Sequence, residues 1–212
     1  WTIVHRIHSK YDQFVNMQGT KIPLRVFYSG TLAQGDVMEA WLPIYVAGVA
    51  TTNKQWYTMT VNVPSSPLNS VHRYYFDEWW DPQNLQSQLV FTMGNTDIWH
   101  WTGGYANVVA LTPNTIQTTP GVSWREKGFI DAPEGNATII VNVAGVPTEM
   151  AVVGGFATDT VTVASTVGIV VDDIAFQAID GNSTISNTRY DVCSTVNNQV
   201  YYIDWKQRNV YV

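Results

Sequence analysis

The sequence predicts an all-β protein, a sandwich or barrel, and three observations carry that expectation. Short runs rich in β-branched and aromatic residues recur along the 212 residues. Clusters of Gly, Pro, Asn, Asp and Ser punctuate them at short spacing, as in many-stranded folds. A single stretch, Gln83 to Thr92, has apolar spacing that suits a helix.

Taken in order, 22–30, 38–49 and 56–64 read as strands. From Thr58 to Val63 the alternation is clean, with Met59, Val61 and Val63 on one face and Thr58, Thr60 and Asn62 on the other. Pro64-Ser-Ser-Pro67 breaks the pattern, and 73–80 resumes it until Asp81-Pro82. Leu85, Leu89 and Val90, an i, i+4, i+5 set, then predict a short amphipathic helix. Strand patterns follow at 105–111, 122–130, 137–145, 158–165, 168–179, 188–196 and 199–212. Asn197-Asn198 is placed to close a tight hairpin. That makes about ten strands and one helix, with no internal repeat, heptad, low-complexity tract or linker to divide residues 1–212.

Composition bounds the function. Hydrophobic residues make up 45% of the chain and charged residues 13%, the latter low against about 25% in ordinary soluble domains. A surface spent on protein contacts and a plain β-domain both fit that figure. The net charge of −6 and 11 dispersed basic residues argue against strong electrostatic binding of nucleic acid, and no polybasic run suits an anionic membrane. No charged leader with an apolar core is visible, so no signal peptide is expected. No run of 18 apolar residues suggests a transmembrane helix. Cys193 is the single cysteine, which excludes an internal disulfide framework and a Cys-rich zinc site. In its strand-like run it reads as a buried thiol rather than a nucleophile.

Candidate chemistry is sparse. His5 and His8 are spaced i, i+3, His72 and His100 stand apart, and no HxH or HxxxH supplies converging metal ligands. Asp77-Glu78 lies among aromatics and would suit half of a glycosidase pair. Glycoside hydrolysis needs two carboxylates across a groove, and Glu39, Glu126, Glu134 and Glu149 offer no matching setting. The pair therefore reads as a solvated turn leading to Asp81-Pro82. Asp172-Asp173 interrupts an apolar strand, where one carboxylate would be forced inward unless a bulge or edge position left both in water. No GxSxG, P-loop or GxGxxG occurs, and the Asn136 and Asn182 sequons read as chance. No catalytic, metal or cofactor-binding residue is assigned.

The predicted helix over Asn84–Thr92, the corner Trp99-His100-Trp101-Thr102-Gly103-Gly104 and the strand Tyr105–Leu111 together carry a resemblance. They resemble the centre of the capsid jelly roll of picorna-like viruses (Picornavirales, such as insect dicistroviruses and iflaviruses), where a helix lies between the third and fourth strands. GIVVDDIAFQAI then resembles the penultimate strand, YDVCSTVNNQVYYIDW the last, and ATIIVNVAGVP a short apolar strand ending in a loop over a symmetry axis. The likeness covers about Tyr74 to Trp205. It implies an all-β, antiparallel eight-stranded jelly-roll sandwich with one or two short helices, over 1–212 as one domain. It implies a structural capsid protein of a small non-enveloped positive-strand RNA virus, not an enzyme, assembled in the host cytoplasm and resident in the virion. Its partners would be other capsid subunits in homo- and hetero-oligomeric icosahedral contacts, enclosed viral RNA and a host receptor, with no membrane anchor and no cofactor. Some insect members carry Asp-Asp-Phe near the last strand, associated with maturation cleavage of a neighbour. Asn197-Asn198-Gln199 stands there and offers no acid or base, which implies a purely structural subunit. In the corner, the glycines would turn the chain and Trp99 and Trp101 would pack the helix on the sheet end. The alternative is a carbohydrate-binding or carbohydrate-hydrolysing β-sandwich, for which aromatic residues would supply sugar platforms.

Overall fold

A computed structural model describes residues 7–28, 36–59, 75–92, 98–131, 137–181, 192–204 and 209–211. Among them the protein is all-β, every strand pair is antiparallel, and the one helical element is a 3-10 turn at Arg125–Lys127. Strands β1 (Ile7–Tyr11), β2 (Leu24–Tyr28), β3 (Asp36–Val46) and β4 (Val49–Thr58) form a meander. β5 (Tyr75–Asp81), β6 (Gln86–Thr92) and β7 (Ile98–Trp101) pair in sequence, and the chain runs from β7 into β8 (Tyr105–Asn107). β9 (Ala110–Thr112) and β10 (Thr115–Gln117) make a hairpin, as do β11 (Ala137–Val143) and β12 (Val146–Val152). β13 (Thr160–Thr162) pairs with β10, β14 (Ile174–Gln177) lies between β8 and β11, and β15 (Asp180–Gly181) pairs with β7. β16 (Val192–Val196), β17 (Gln199–Asp204) and β18 (Asn209–Tyr211) form a separate sheet.

The pairs between 98 and 181 nest. β7 and β8 pair with β15 and β14, β10 pairs with β13 inside them, and β11 pairs with β12 innermost. The outermost pair is one long ladder. His100 stands opposite Asp180 and Tyr105 opposite Phe176, five steps on one strand against four on the other. The extra residue is a bulge. Gly103, at φ +78°, supplies the left-handed conformation that such a bulge uses. Gln177 N–H donates to Gly104 C=O at 2.9 Å, and Val108 N–H to Asp173 C=O at 2.8 Å, which carries the ladder on at both ends.

The β8–β14 part of this ladder, with β11, is buried on both faces. Tyr105, Ile140, Ile174 and Phe176 point into one core with Leu24, Val26, Met38, Ala40 and Leu42 of the meander and Leu89, Phe91 and Trp101 of the β5–β7 sheet. Ala106, Ile139, Val141 and Ala175 point into a second core with Ile116, Val161, Trp124, Phe129 and Phe156. Successive residues enter opposite cores because strand side chains alternate. Strands covered on both sides read as continuous apolar runs, as in IAFQ and TIIV.

Several expectations are corrected. The segment Asn84–Thr92, expected as a helix, is the turn after β5 followed by strand β6. Leu85, the first residue of the supposed apolar stripe, sits at φ +53° and is 70% exposed. Leu89 and Val90 are buried on opposite faces of β6, the former in the first core, so their spacing came from two-sided burial. Asp81 builds the turn, accepting from Gln83 N–H (2.9 Å), Asn84 N–H (3.2 Å), Asn84 Nδ2 (2.7 Å) and Gln88 Nε2 (2.6 Å). Residues 122–130, read as a strand, hold the 3-10 turn instead. Ser123 and Glu126 bond reciprocally, with Ser123 N–H to Glu126 Oε2 at 2.7 Å and Glu126 N–H to Ser123 Oγ at 3.2 Å, the pattern of a capping box. The strand expected over 168–179 shrinks to β14, because Gly168 and Asp172 adopt positive φ. Trp101 packs between Phe14 and Phe176 rather than against a helix. Of the alternating 58–63 segment, Met59 is buried in the first core, whereas 60–63 lies outside the described residues. Asn197-Asn198 closes the β16–β17 hairpin, both at positive φ as a type I′ turn requires.

Two predictions follow from this packing. Asp81 is buried, and burial works against its charge, but its hydrogen bonds outweigh that and hold the carboxyl below the usual range. Its stabilisation is therefore present above about pH 4 and is lost as the pH falls through the depressed native value. Asp81→Ala should cost about 3 kcal/mol at pH 7, with the gap to wild type narrowing in acid, measured by urea denaturation at both pH values. A Cβ on Gly104 would stand 2.7 Å from Gly128 C=O, a backbone neighbour that cannot swing aside. Gly104→Ala should lower stability by about 2 kcal/mol or more in the same assay, whereas Gly121→Asn, in open space, should stay within about 0.5 kcal/mol.

Candidate functional site

One end of the molecule carries a tetrapeptide used twice. Val46-Ala47-Gly48-Val49 joins β3 to β4, and Val143-Ala144-Gly145-Val146 joins β11 to β12. Both are two-residue turns with positive φ at Ala (50° in each) and at Gly (80° and 87°). Such turns favour Asn or Asp before Gly, and an Ala in the left-handed region costs about 1 kcal/mol. Both turns accept that strain, and both stay apolar.

A third loop, 167–173, locks the two tips together. Asp172 carboxylate oxygens accept from Ala47 N–H at 2.8 Å and Gly48 N–H at 2.7 Å. Ala144 N–H donates to Gly168 C=O at 2.8 Å, and a Cβ on Gly168 would come within 2.9 Å of Val143. The result is an apolar rim: Val46, Val49, Val146, Val167, Val170 and Val171 are between 46% and 83% exposed.

Next to the rim, and lined by Val171 from it, lies a cleft of about 350 Å³ between β3–β4 and the β11–β12 turn. Tyr45, Trp56, Tyr57, Gln55, Asn142, Asp172 and Asp173 line it, and no Lys, Arg or His does. Burial pushes the Asp173 carboxyl above the usual range. Its bond from Val170 N–H (2.8 Å) opposes that shift, and the charge of Asp172 adds to it. Burial, with both carboxylates near, likewise raises the Tyr57 hydroxyl, which donates to Pro43 C=O at 3.3 Å. The Arg25 guanidinium stacks 4.2 Å over Trp56 and pairs with Glu39 at 2.6 Å, so this cation is engaged outside the cleft lining. The cleft is an acceptor-rich, aromatic hollow beside an aliphatic rim.

The residues weighed from sequence are scattered. Asp172 and Asp173 come to this cleft, in a loop rather than in the bulged or edge strand expected. Asp77 and Glu78 lie within β5, half-buried, rather than in a solvated turn. Glu78 accepts from Tyr11 Oη at 2.8 Å, and Asp77 Oδ1 from Glu78 N–H at 2.8 Å. His100 belongs to a polar chain. Gln88 gives its Nε2 to Asp81 and turns its Oε1 to His100 Nδ1 at 3.0 Å, which puts the imidazole proton on Nδ1. Glu39 pairs with Arg25 and Glu126 with Ser123. His5, His72, Glu134, Asn136 and Asn182 lie outside the described residues, and Cys193 is described only as part of β16. Among the described residues no three of His, Cys, Asp and Glu are grouped to hold a metal ion. Nor, among them, is any helix long and apolar enough to cross a membrane. The tips were missed in the sequence, although the repeated Val-Ala-Gly-Val was the signal that marks them.

Comparison with known protein families, with curated proteins and with solved structures finds no match to this chain.

Asp172 is the clasp of the site, and removing it has a local signature. Asp172→Ala should destabilise the protein by about 2 kcal/mol. Amide hydrogen exchange at Ala47 and Gly48 should accelerate far more than at Ile140 or Phe176, which sit in the doubly covered strands.

Proposed function

We propose that the chain is a structural shell subunit, a capsid protein of a small non-enveloped positive-strand RNA virus, that assembles with copies of itself and related subunits around the genome. The observation that carries this reading is the rim of six exposed valines on three loops locked together at one end. Exposed apolar groupings of this kind mark surfaces that other proteins cover. Two strained alanines keep the tips apolar where a polar residue would fit the turn better, as an interface would require. Nesting of the strand pairs from 98 to 181 supports a jelly roll over that segment, since such a fold is a long hairpin rolled on itself. The β1–β4 meander lies outside that nest and covers its free face. The low charge of the chain suits repeated contacts, and the net charge of −6 leaves neutralisation of RNA to other subunits, counterions or polyamines.

Sedimentation velocity and electron microscopy of the purified chain across a concentration series test the proposal. Closed symmetric assemblies are expected for the wild type, and Val49→Ser/Val146→Ser/Val170→Ser should shift the population to monomer with an unchanged circular dichroism spectrum. A wild type that stays monomeric at every concentration, alone and with its sister subunits, would sink it.

A further inference from the structure

We infer that the cleft between the two Val-Ala-Gly-Val tips is a receptor for one basic side chain, Lys or Arg, presented by a protein segment with aliphatic residues on either side of it. The inference concerns what enters the cleft and stands apart from the shell reading, because a subunit of any assembly, or a monomer, would use it.

Three independent features point to that occupant. The first is charge. Asp172 and Asp173 both line the cleft, no basic residue does, and the nearby Arg25 is held by Glu39 and Trp56. Asp172 is satisfied by two backbone N–H groups and Asp173 by one. Backbone donors orient a carboxylate without cancelling its charge, so a cation entering here meets uncompensated negative potential.

The second is the wall. Tyr45 and Tyr57 line the cleft beside the carboxylates, and such aromatic surface favours a cation with an apolar stem over a hydrated metal ion. The volume of about 350 Å³ lies at the lower end of ligand pockets, which run from roughly 300 to 1,000 Å³. That suits one long side chain better than an extended oligomer.

The third is the mouth. Val171, 46% exposed, lines the cleft, and so do Gly145 and Pro147 on either side of the exposed Val146. Aliphatic residues offer no flat ring for a sugar to stack on, and Arg25 is already stacked on the Trp56 ring. Valines do fit the aliphatic neighbours of a basic residue on a peptide. As they close, water leaves, and the charge pair beneath is strengthened by its loss.

A fluorescein-labelled, capped peptide, Ser-Val-Lys-Val-Ser, titrated with the intact protein and followed by fluorescence anisotropy, tests this directly. Saturable binding is expected. Replacing the lysine with Nε-acetyl-lysine should weaken it at least about tenfold, as removing one member of a desolvated charge pair does. Asp173→Asn keeps an acceptor for Val170 N–H and should weaken binding by a similar factor at an unchanged melting temperature. Val146→Ser/Val170→Ser should weaken it through the rim alone, with the preference for lysine over acetyl-lysine retained. Equal binding of the acetylated peptide, indifference to Asp173→Asn, or no saturable binding at millimolar protein would each overturn the inference. So would a neutral oligosaccharide that competes the peptide out of the cleft.

Discussion

Both cores of this fold lean on one strand pair, β8 with β14, that is buried on both sides. β8 runs antiparallel to β14, and with β11 they separate two cores. A strand so placed has no solvent face, so each of its side chains must fit one core or the other. Side-chain size is divided accordingly. In the β8–β14 pair, Tyr105, Ile174 and Phe176 fill the first core, while Ala106 and Ala175 face the second. Those alanines leave room for Trp124, Phe129 and Phe156, whose ring centroids lie 4.8 to 6.2 Å apart.

The ladder carries one extra residue between its two paired stretches. Its bulge at Gly103 bends the chain as it passes from the β5–β7 sheet into the central layer, and Gly104 meets the Gly128 backbone where a side chain would not fit. Phe14 and Asn16 close over the bulge, with Asn16 Nδ2 donating to Gly103 C=O at 3.3 Å. Beside it, Asp81, Gln88 and His100 form a polar chain, with Asp81 and Gln88 buried, that links β5 to β6 and β6 to β7. A half-satisfied network there would cost more than an apolar one.

The same ladder delivers the functional end. It stops at Val108 and Asp172, so Asp172 leaves the ladder pointing at the β3–β4 turn and ties that tip to the central layer. Gly168 ties the β11–β12 tip to the same loop. Three loops are held as one apolar rim beside an acidic, aromatic cleft. Strain at Ala47 and Ala144 persists because these contacts over-determine the turns. A surface assembled this way is rigid before any partner arrives, which lowers the ordering cost of binding.

The sequence alone determined the all-β class, because β-branched and aromatic runs between turn residues have few other solutions. It also determined the Asn197-Asn198 hairpin, whose chemistry is local. It misread Asn84–Thr92 for a physical reason. A strand covered on two faces loses its period of two, so Leu89 and Val90, with the exposed turn residue Leu85 before them, mimic a helical stripe. Residues 122–130 misled in the opposite direction, since their apolar pattern hid the Ser123–Glu126 box that curls the chain. The cleft was beyond reach because Asp172 lies 125 residues from Ala47, and only tertiary packing brings a carboxylate onto a distant turn. Local chemistry chose the turns and the strands; which faces were covered, and which loops met, was decided by the two cores.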